Sequence, residues 1–271
     1  MAKKILRTMI MVIAVVCIFG ATPAFAVEAD ASTAAPAAVY VPTGEISAEW
    51  NVEKQTIEVF NIPYLSGNYK VQTIDSNGVK QNVAADMVTH LPINADGVYT
   101  VRVLRKQADS NLHDIIWKKT VEVVGCKQWM GSSEIVDMDE SVNMLNSEVI
   151  KNIIALEEDF MVAQAAFHYL DDNWTYNYDR MNSARSWYTP NNDQNFIEKS
   201  GICYDYASAY AAIMRTAGIQ TKVIFGYVQT KSGSVYHAWN EINLYGDWYI
   251  VDACWGEYGW TNYQRSISYE W

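Results

Sequence analysis

Three polar residues have the types and spacing to act on a carbonyl together. Cys203 lies in 199-KSGICYDYASAYAAIMRTAGI-219, and His237 and Asp252 lie in 236-YHAWNEINLYGDWYIVDACW-255. The first stretch reads as a helix: Ser200 or Gly201 can cap it, Gly218 can end it, and Ala207, Ala211 and Met214 recur on the face carrying Cys203. A thiol in the first turn of a helix feels the partial positive charge of unpaired N–H groups, which favours the nucleophilic thiolate. On those residues alone the plainer reading leads, that of a small buried hydrophobe.

The second stretch changes the balance. It reads as two strands joined by a tight turn at Gly246-Asp247, with His237 opening the first strand and Asp252 ending the second. Antiparallel pairing puts those two positions at the same end of the sheet. A thiolate could then attack a carbonyl carbon, His237 could carry the proton to a leaving amine, and Asp252 could fix the ring tautomer. The backbone N–H of Cys203 is a first oxyanion donor, and Gln194 is the nearest upstream amide to test as a second. One difficulty is built in. With the turn at Gly246-Asp247, Asp252 faces Glu241, four residues and about 13 Å of strand from His237. Parity places both side chains on one face, so a bulge or a strand offset is expected to close the gap.

The elements around these residues follow from the rest of the chain. Residues 1–26 (MAKKILRTMIMVIAVVCIFGATPAFA) have a basic start, an apolar run and small residues at Ala24-Phe25-Ala26, the pattern of a cleaved secretory signal. Their removal takes away Lys3, Lys4 and Arg7 and moves the net charge from −11 to −14. Such a surface repels nucleic acid and anionic lipid, and no other run is long enough to span a bilayer. Cys126, Cys203 and Cys254 remain after cleavage, an odd number for an oxidising compartment. Cys254 could pair with Cys126 or stay a spectator thiol, and pairing with Cys203 would extinguish activity. No C-x-x-C or Cys/His cluster points to a metal, and no cofactor is implied.

Residues 27–44 read as a mobile Ala/Pro/Thr-rich leader. Residues 45–125 read as six short strands (46–50, 56–62, 69–74, 79–83, 98–104 and 115–124), with Asp75-Ser76-Asn77-Gly78 as a hairpin turn. That is a small β-sandwich, immunoglobulin-like in strand number and spacing, whose His90 and His113 read as surface residues. Residues 126–141 form a linker. From 142 to 271 the pattern is helix, polar loop (179–198), helix, then strands at 221–230, 236–244 and 248–253, an α+β domain. In its first long helix Phe160, Ala163, Phe167, Leu170 and Trp174 make the buried stripe, with His168 beside it in a structural role. Trp239, Trp248, Trp255, Trp260, Tyr204 and Tyr206 crowd the Cys/His/Asp region as core or as groove lining.

The blocks 201-GICYDYASAY-210, 215-RTAGI-219, 237-HAWNE-241 and 248-WYIVD-252 resemble the transglutaminase-like superfamily of papain-like fold, as does 167-FHYLDDNWTYNYD-179 upstream. The resemblance covers roughly residues 142–258. It implies a Cys-bearing helix packed on an antiparallel sheet, with Cys203 as nucleophile, His237 as base and Asp252 as orienter. It also implies amide acyl transfer through a thioester. Hydrolysis of a peptide or amide bond leads, with protein cross-linking or a catalytically inactive surface-binding module as alternatives. The expected partner is a protein or peptide substrate, such as a cell-surface polymer.

Overall fold

The computed structural model describes residues 44–258, apart from 64–67, 87, 109, 139–140 and 185–187, together with the strand at 265–270. The expected signal peptide, nearly all of the leader and Trp260 lie outside the described residues.

Seven strands come first: β1 (Ser47–Asn51), β2 (Thr56–Phe60), β3 (Tyr69–Ile74), β4 (Lys80–Ala84), β5 (Val88–Pro92), β6 (Gly97–Lys106) and β7 (His113–Val123). They form two antiparallel sheets ordered β1-β2-β5 and β4-β3-β6-β7. Ile57, Val59 and Leu91 from one sheet meet Val71, Val101, Val103 and Val121 from the other in one core, so this region is a β-sandwich. The β3–β4 turn forms as its sequence predicts, with Asp75 Oδ1 accepting the N–H groups of Asn77 (2.9 Å) and Val79 (2.8 Å).

Strand β5 is the element that the strand pattern missed, and it corrects the reading of His90. That residue is buried, with Nε2 3.2 Å from Glu58 Oε1 on the neighbouring strand. Burial pushes the Glu58 carboxyl up, but the Asn51 amide, Lys54 and His90 outweigh it and hold the pKa below the usual value.

The second half contains α1 (Val142–Asn146), α2 (Glu148–Ile154), α3 (Asp159–Asn173), β8 (Thr175–Tyr176), α4 (Tyr178–Ser183), α5 (Asn192–Glu198), β9 (Ser200–Gly201) and α6 (Cys203–Thr216). Strands β10 (Thr221–Thr230), β11 (Gly233–Leu244), β12 (Asp247–Asp252), β13 (Glu257–Tyr258) and β14 (Arg265–Glu270) follow. They make one sheet ordered β13-β12-β11-β10-β14. The stretch at 179–198, expected as loop, holds two short helices, each started by an asparagine. Asn177 Oδ1 accepts from Arg180 N, and Asn191 Oδ1 accepts from Gln194 N, both at 2.8 Å.

Helix α6 is the centre of this half. Every residue from Asp205 to Arg215 is buried. Four alanines keep it slim enough for α3 on one side and the sheet on the other. Val162, Ala163, Ala166, Phe167 and Leu170 of α3 meet it there, as do Val223, Ala238, Ile242, Leu244 and Val251 of the sheet. Phe160, expected in the buried stripe of α3, is instead 37% exposed, and His168 is exposed as well. The buried face runs through Val162, Ala163, Ala166, Phe167 and Leu170, and Phe160, in the first turn, lies at its exposed end.

Segment 126–141 is pinned rather than slack. Its Trp129 carbonyl accepts from Thr221 N (3.1 Å), its Gly131 carbonyl from Arg215 Nη1 (2.5 Å), and its Ser132 N–H donates to the Lys54 carbonyl (3.0 Å). Gly131 is required: a Cβ there would lie 2.1 Å from the Gln55 carbonyl oxygen.

Candidate active site

The register of β11 and β12 decides whether Asp252 can meet His237. The pairs run Leu244↔Asp247, Asn243↔Trp248 and on to Asn240↔Val251, so the turn is Tyr245-Gly246 and not Gly246-Asp247. Both turn residues have positive φ, 58° and 97°, the signature of a two-residue type I′ hairpin. Moving the turn by one residue moves the register by two. Asp252 then stands opposite Trp239, two residues from His237 instead of four. The expected strand offset is present, and it comes from the turn.

The two side chains meet. His237 Nε2 donates to Asp252 Oδ2 at 2.7 Å, with the residues 3% and 1% exposed. Asp252 Oδ1 accepts the backbone N–H groups of Cys254 (3.1 Å) and Trp255 (3.0 Å), which holds the carboxylate in place beside the ring. The Trp255 indole lies over the imidazole with centroids 3.9 Å apart and planes 18° apart, and Trp239 lies parallel at 6.4 Å. With Nε2 engaged by the carboxylate, Nδ1 is the ring nitrogen left for the thiol, and His237 does hydrogen-bond the Cys203 side chain. Burial alone would lower the His237 pKa, but the Asp252 carboxylate, with a smaller part from Cys203, raises it to about 10. A charged imidazolium flanked by a carboxylate and a thiol is the arrangement that moves a proton between a nucleophile and a leaving group.

Cys203 opens α6 as expected, though its cap differs. The N-cap is Ile202, whose N–H donates to Asp205 Oδ2 at 2.8 Å, so the acid three residues into the helix reaches back in place of Ser200 or Gly201. Asp205 is fully buried and saturated. Its Oδ2 also meets Arg180 Nη1 at 3.0 Å, and its Oδ1 accepts from the Tyr188 hydroxyl (2.6 Å) and the Asn195 amide (3.0 Å). One carboxylate thus ties α4, α5 and the 188 loop to the start of the helix that carries Cys203. Gly201 is held to glycine by this contact, since a Cβ there would lie 2.6 Å from Asp205 Cβ. The sequence reading passed over Asp205; its spacing of three from the cap residue was the available signal.

Gln194 is not placed to help. It is exposed, and its amide donates to Glu198 Oε1 at 2.6 Å. All three described cysteines are free thiols. Cys126 packs against the sandwich core, with Sγ 3.5 Å from the Ile93 carbonyl, so it forms no bond to Cys254. Burial chiefly, with Asp252 and Cys203, pushes the Cys254 thiol well up, which keeps it protonated as a spectator. Among the aromatics, Tyr206 packs edge-on to Trp174 (5.3 Å), and Tyr204 edge-on to Phe225 (4.9 Å). Trp248 carries the Lys222 ammonium 4.4 Å over its ring. Among the described residues, no group of three or more His, Cys, Asp or Glu is placed to hold a metal ion. No helix among them is long and apolar enough to cross a membrane.

Residues 149–253 match the family model described as Transglutaminase-like superfamily. They form a transglutaminase-like domain. Over 62 residues the chain is 37% identical to the kyphoscoliosis peptidase of Mus musculus and to that of Homo sapiens. That match takes in 20% of this chain and 9% of each peptidase, so the chain spans under a tenth of those relatives' length. Similar solved structures include a candidate cysteine protease from Cytophaga hutchinsonii, at 21% identity over 46% of this chain and 40% of that one (TM-score 0.38). Another is red sea bream transglutaminase, at 12% identity over 73% of this chain and 47% of that one (TM-score 0.30). Cys203, His237 and Asp252 all fall inside the transglutaminase-like domain.

Proposed function

We propose that this chain is an exported cysteine-dependent acyl transferase that opens amide bonds through a thioester, and that its usual acceptor is water. The observation that carries this reading is the buried His237–Asp252 contact at 2.7 Å on a ring that also bonds the Cys203 thiol. In the first half-reaction the Cys203 sulfur adds to the carbonyl carbon, and the carbonyl π pair moves onto oxygen. Collapse of that adduct expels the amine, which takes its proton from His237. Asp252 holds the ring and its charge throughout. In the second half-reaction His237 removes a proton from water, hydroxide adds to the thioester, and the thiol leaves with that proton. A lysine amine in place of water would give a cross-link by the same steps, so the acceptor alone separates the two activities. Water needs no acceptor site of its own, which favours hydrolysis.

Export rests on the residue pattern at 1–26, and the substrate class, a peptide or a peptide-bearing surface polymer, rests on the amide chemistry. The β-sandwich serves as a docking or spacer module in this scheme. The test is to incubate the mature wild type and Cys203→Ala with surface-derived peptides, with and without dansyl-cadaverine as a primary amine. Free-acid products that need Cys203 support hydrolysis, while incorporation of the amine moves the assignment to transglutaminase. No Cys203-dependent product, together with iodoacetamide alkylation no faster than that of a model thiol, would return the chain to the class of binding modules.

A further inference from the structure

The negative charge of this chain is unevenly shared. Residues 126–271 carry nine Lys/Arg against nineteen Asp/Glu, whereas residues 45–125 carry eight against ten. Within the β-sandwich the split runs between its two sheets. Strands β1, β2 and β5 hold no Lys or Arg and two acids, Glu49 and Glu58. Strands β3, β4, β6 and β7 hold seven Lys/Arg and only two acids, Asp114 and Glu122. Two of those cations are engaged: Lys119 Nζ donates to the Ala48 carbonyl (2.8 Å), and Arg105 lies 3.9 Å from Asp114. The others on this sheet are Lys70, Lys80, Arg102, Lys106 and Lys118.

The strand register gathers them on one face. Asn82 stands opposite Gln72, Gln72 opposite Arg102 and Arg102 opposite Lys118, a straight row across four strands about 14 Å wide. Val71, Val101, Val103 and Val121, at the alternate positions, fill the core, so this row faces outward. Lys70 and Lys80 flank it on the same face, and both are exposed. Arg102 and Lys118 are like charges directly opposite each other, an arrangement that costs a sheet stability. Among the described residues no carboxylate pairs with either, and the Arg102 Nε is buried with no hydrogen-bond partner. A sandwich that is only a spacer has no use for an opposed, unneutralised pair.

The partner that fits this face is anionic, linear and thin. A phosphodiester spreads one charge over two diverging oxygens while its chain runs on through the other two, so one group can bridge two cations standing side by side. A carboxylate is planar and pendant, and pairs best end-on with a single guanidinium. Single-stranded nucleic acid also carries phosphodiesters, but it is held by aromatic rings on which its bases stack. Tyr69, Tyr99 and Trp117, the aromatic residues of these four strands, all pack on the sandwich core. A bilayer is a broad anionic plane that meets the acidic half of the chain as well. Screening over about 8 Å lets a narrow strand feel the sheet alone. Asn82, Thr100 and Thr120, on the same face, suit the hydroxyls of a polyol or sugar backbone.

We propose that the outward face of sheet β4-β3-β6-β7 docks the chain on a linear phosphodiester polymer of polyol or sugar units at the cell surface. One phosphate bridges Arg102 and Lys118, and Lys70 and Lys80 take its neighbours along the polymer. The sandwich is then a docking module and not a spacer. The cell-surface location rests on the exported reading above; the binding itself holds whether or not Cys203 reacts.

The test uses the mature chain carrying Cys203→Ala, so that binding is read apart from acyl transfer. The probe is fluorescein-labelled poly(glycerol phosphate), followed by anisotropy over a salt series. Arg102→Gln/Lys118→Gln should weaken binding by about fivefold for each cation removed, and flatten the slope of log affinity against log salt by roughly 0.7 for each. Its thermal midpoint should hold or rise, because an opposed pair of like charges is gone. Lys70→Gln/Lys80→Gln, at exposed positions, should lose affinity to the same degree and repeats the test if the first variant melts early. Lys151→Gln, exposed on α2 in the other half, should bind as its parent does. No binding of the probe, a loss of less than about twofold in both double variants, or an equal loss in Lys151→Gln overturns the proposal. So does equal or tighter binding of polygalacturonate, oligo(dT) or phosphatidylglycerol vesicles, which would give the face to carboxylate polymers, nucleic acid or membranes instead.

Discussion

Asp252 is used at both of its oxygens, and that makes the residue hard to replace. Asparagine could keep Oδ1 on the two backbone N–H groups of Cys254 and Trp255, but it would turn an N–H₂ toward His237 Nε2. The imidazole would then adopt the tautomer with Nε2 bare and Nδ1–H facing the thiol, which cannot take the thiol's proton. Asp252→Asn is expected to slow acylation of Cys203 by on the order of 10⁴-fold at unchanged fold, read by p-nitrophenolate release. The raised His237 pKa gives a pH dependence of known sign. A group raised in the folded state stabilises it fully below the unfolded value of 6.5 and loses that contribution as pH climbs to about 10. On the proposed mechanism, amide turnover needs imidazolium as the acid and is expected to fall through the same upper limb. Glu58 has the opposite sign. Its lowered pKa contributes stability above 4.5 that is lost as pH falls. Thermal midpoints of wild type, His237→Gln and Glu58→Gln across pH 3–11 would check both limbs: each variant should flatten one and leave the other.

The hairpin between β11 and β12 shows why the candidate residues Cys203, His237 and Asp252 were legible and their register was not. Cysteine, histidine and aspartate announce themselves by type, and α6 by its alanines and Gly218. The turn, however, depends on Tyr245 taking a left-handed backbone, a role that local preference gives to Asn, Asp or Gly. Nothing near Tyr245 marks it, and a shift of one residue in the turn displaces the pairing by two. Tyr245→Asn should therefore raise stability by roughly 0.5–1 kcal/mol without touching activity, since that side chain is 73% exposed. The helices at 178–183 and 192–198 escaped notice for a related reason: their asparagine caps look like loop composition until a backbone N–H is found on each. Asp205 is the costlier omission. Removing it in Asp205→Ala leaves Arg180 with Glu198 alone as its ion partner and strands three other donors, and should cost about 3–5 kcal/mol in urea unfolding.

At the scale of the whole molecule, the alternation of β-branched residues revealed a sandwich, though one strand short. β5 ends in proline and carries a histidine, so only its pairing with β2 and the burial of Thr89, His90 and Leu91 disclose it. The segment at 126–141 looked like a tether by composition but is bonded to both halves, through Lys54 and Gln55 on one side and Arg215 and Thr221 on the other. Gly131→Ala should force it off the Gln55 carbonyl and expose it to protease; cleavage by limited trypsin or thermolysin near 127–135 should speed up markedly, with wild type as the reference. The indole stacked on His237 carries one more consequence, an optical one. A protonated imidazole quenches the emission of an indole in contact with it, so Trp255 is dark while the neighbouring ring is charged and brightens when the proton leaves. Ten tryptophans contribute to the signal, and subtracting the spectrum of Trp255→Phe isolates this one. The difference emission would then follow the proton on His237 directly, in the resting protein, before any substrate has been found.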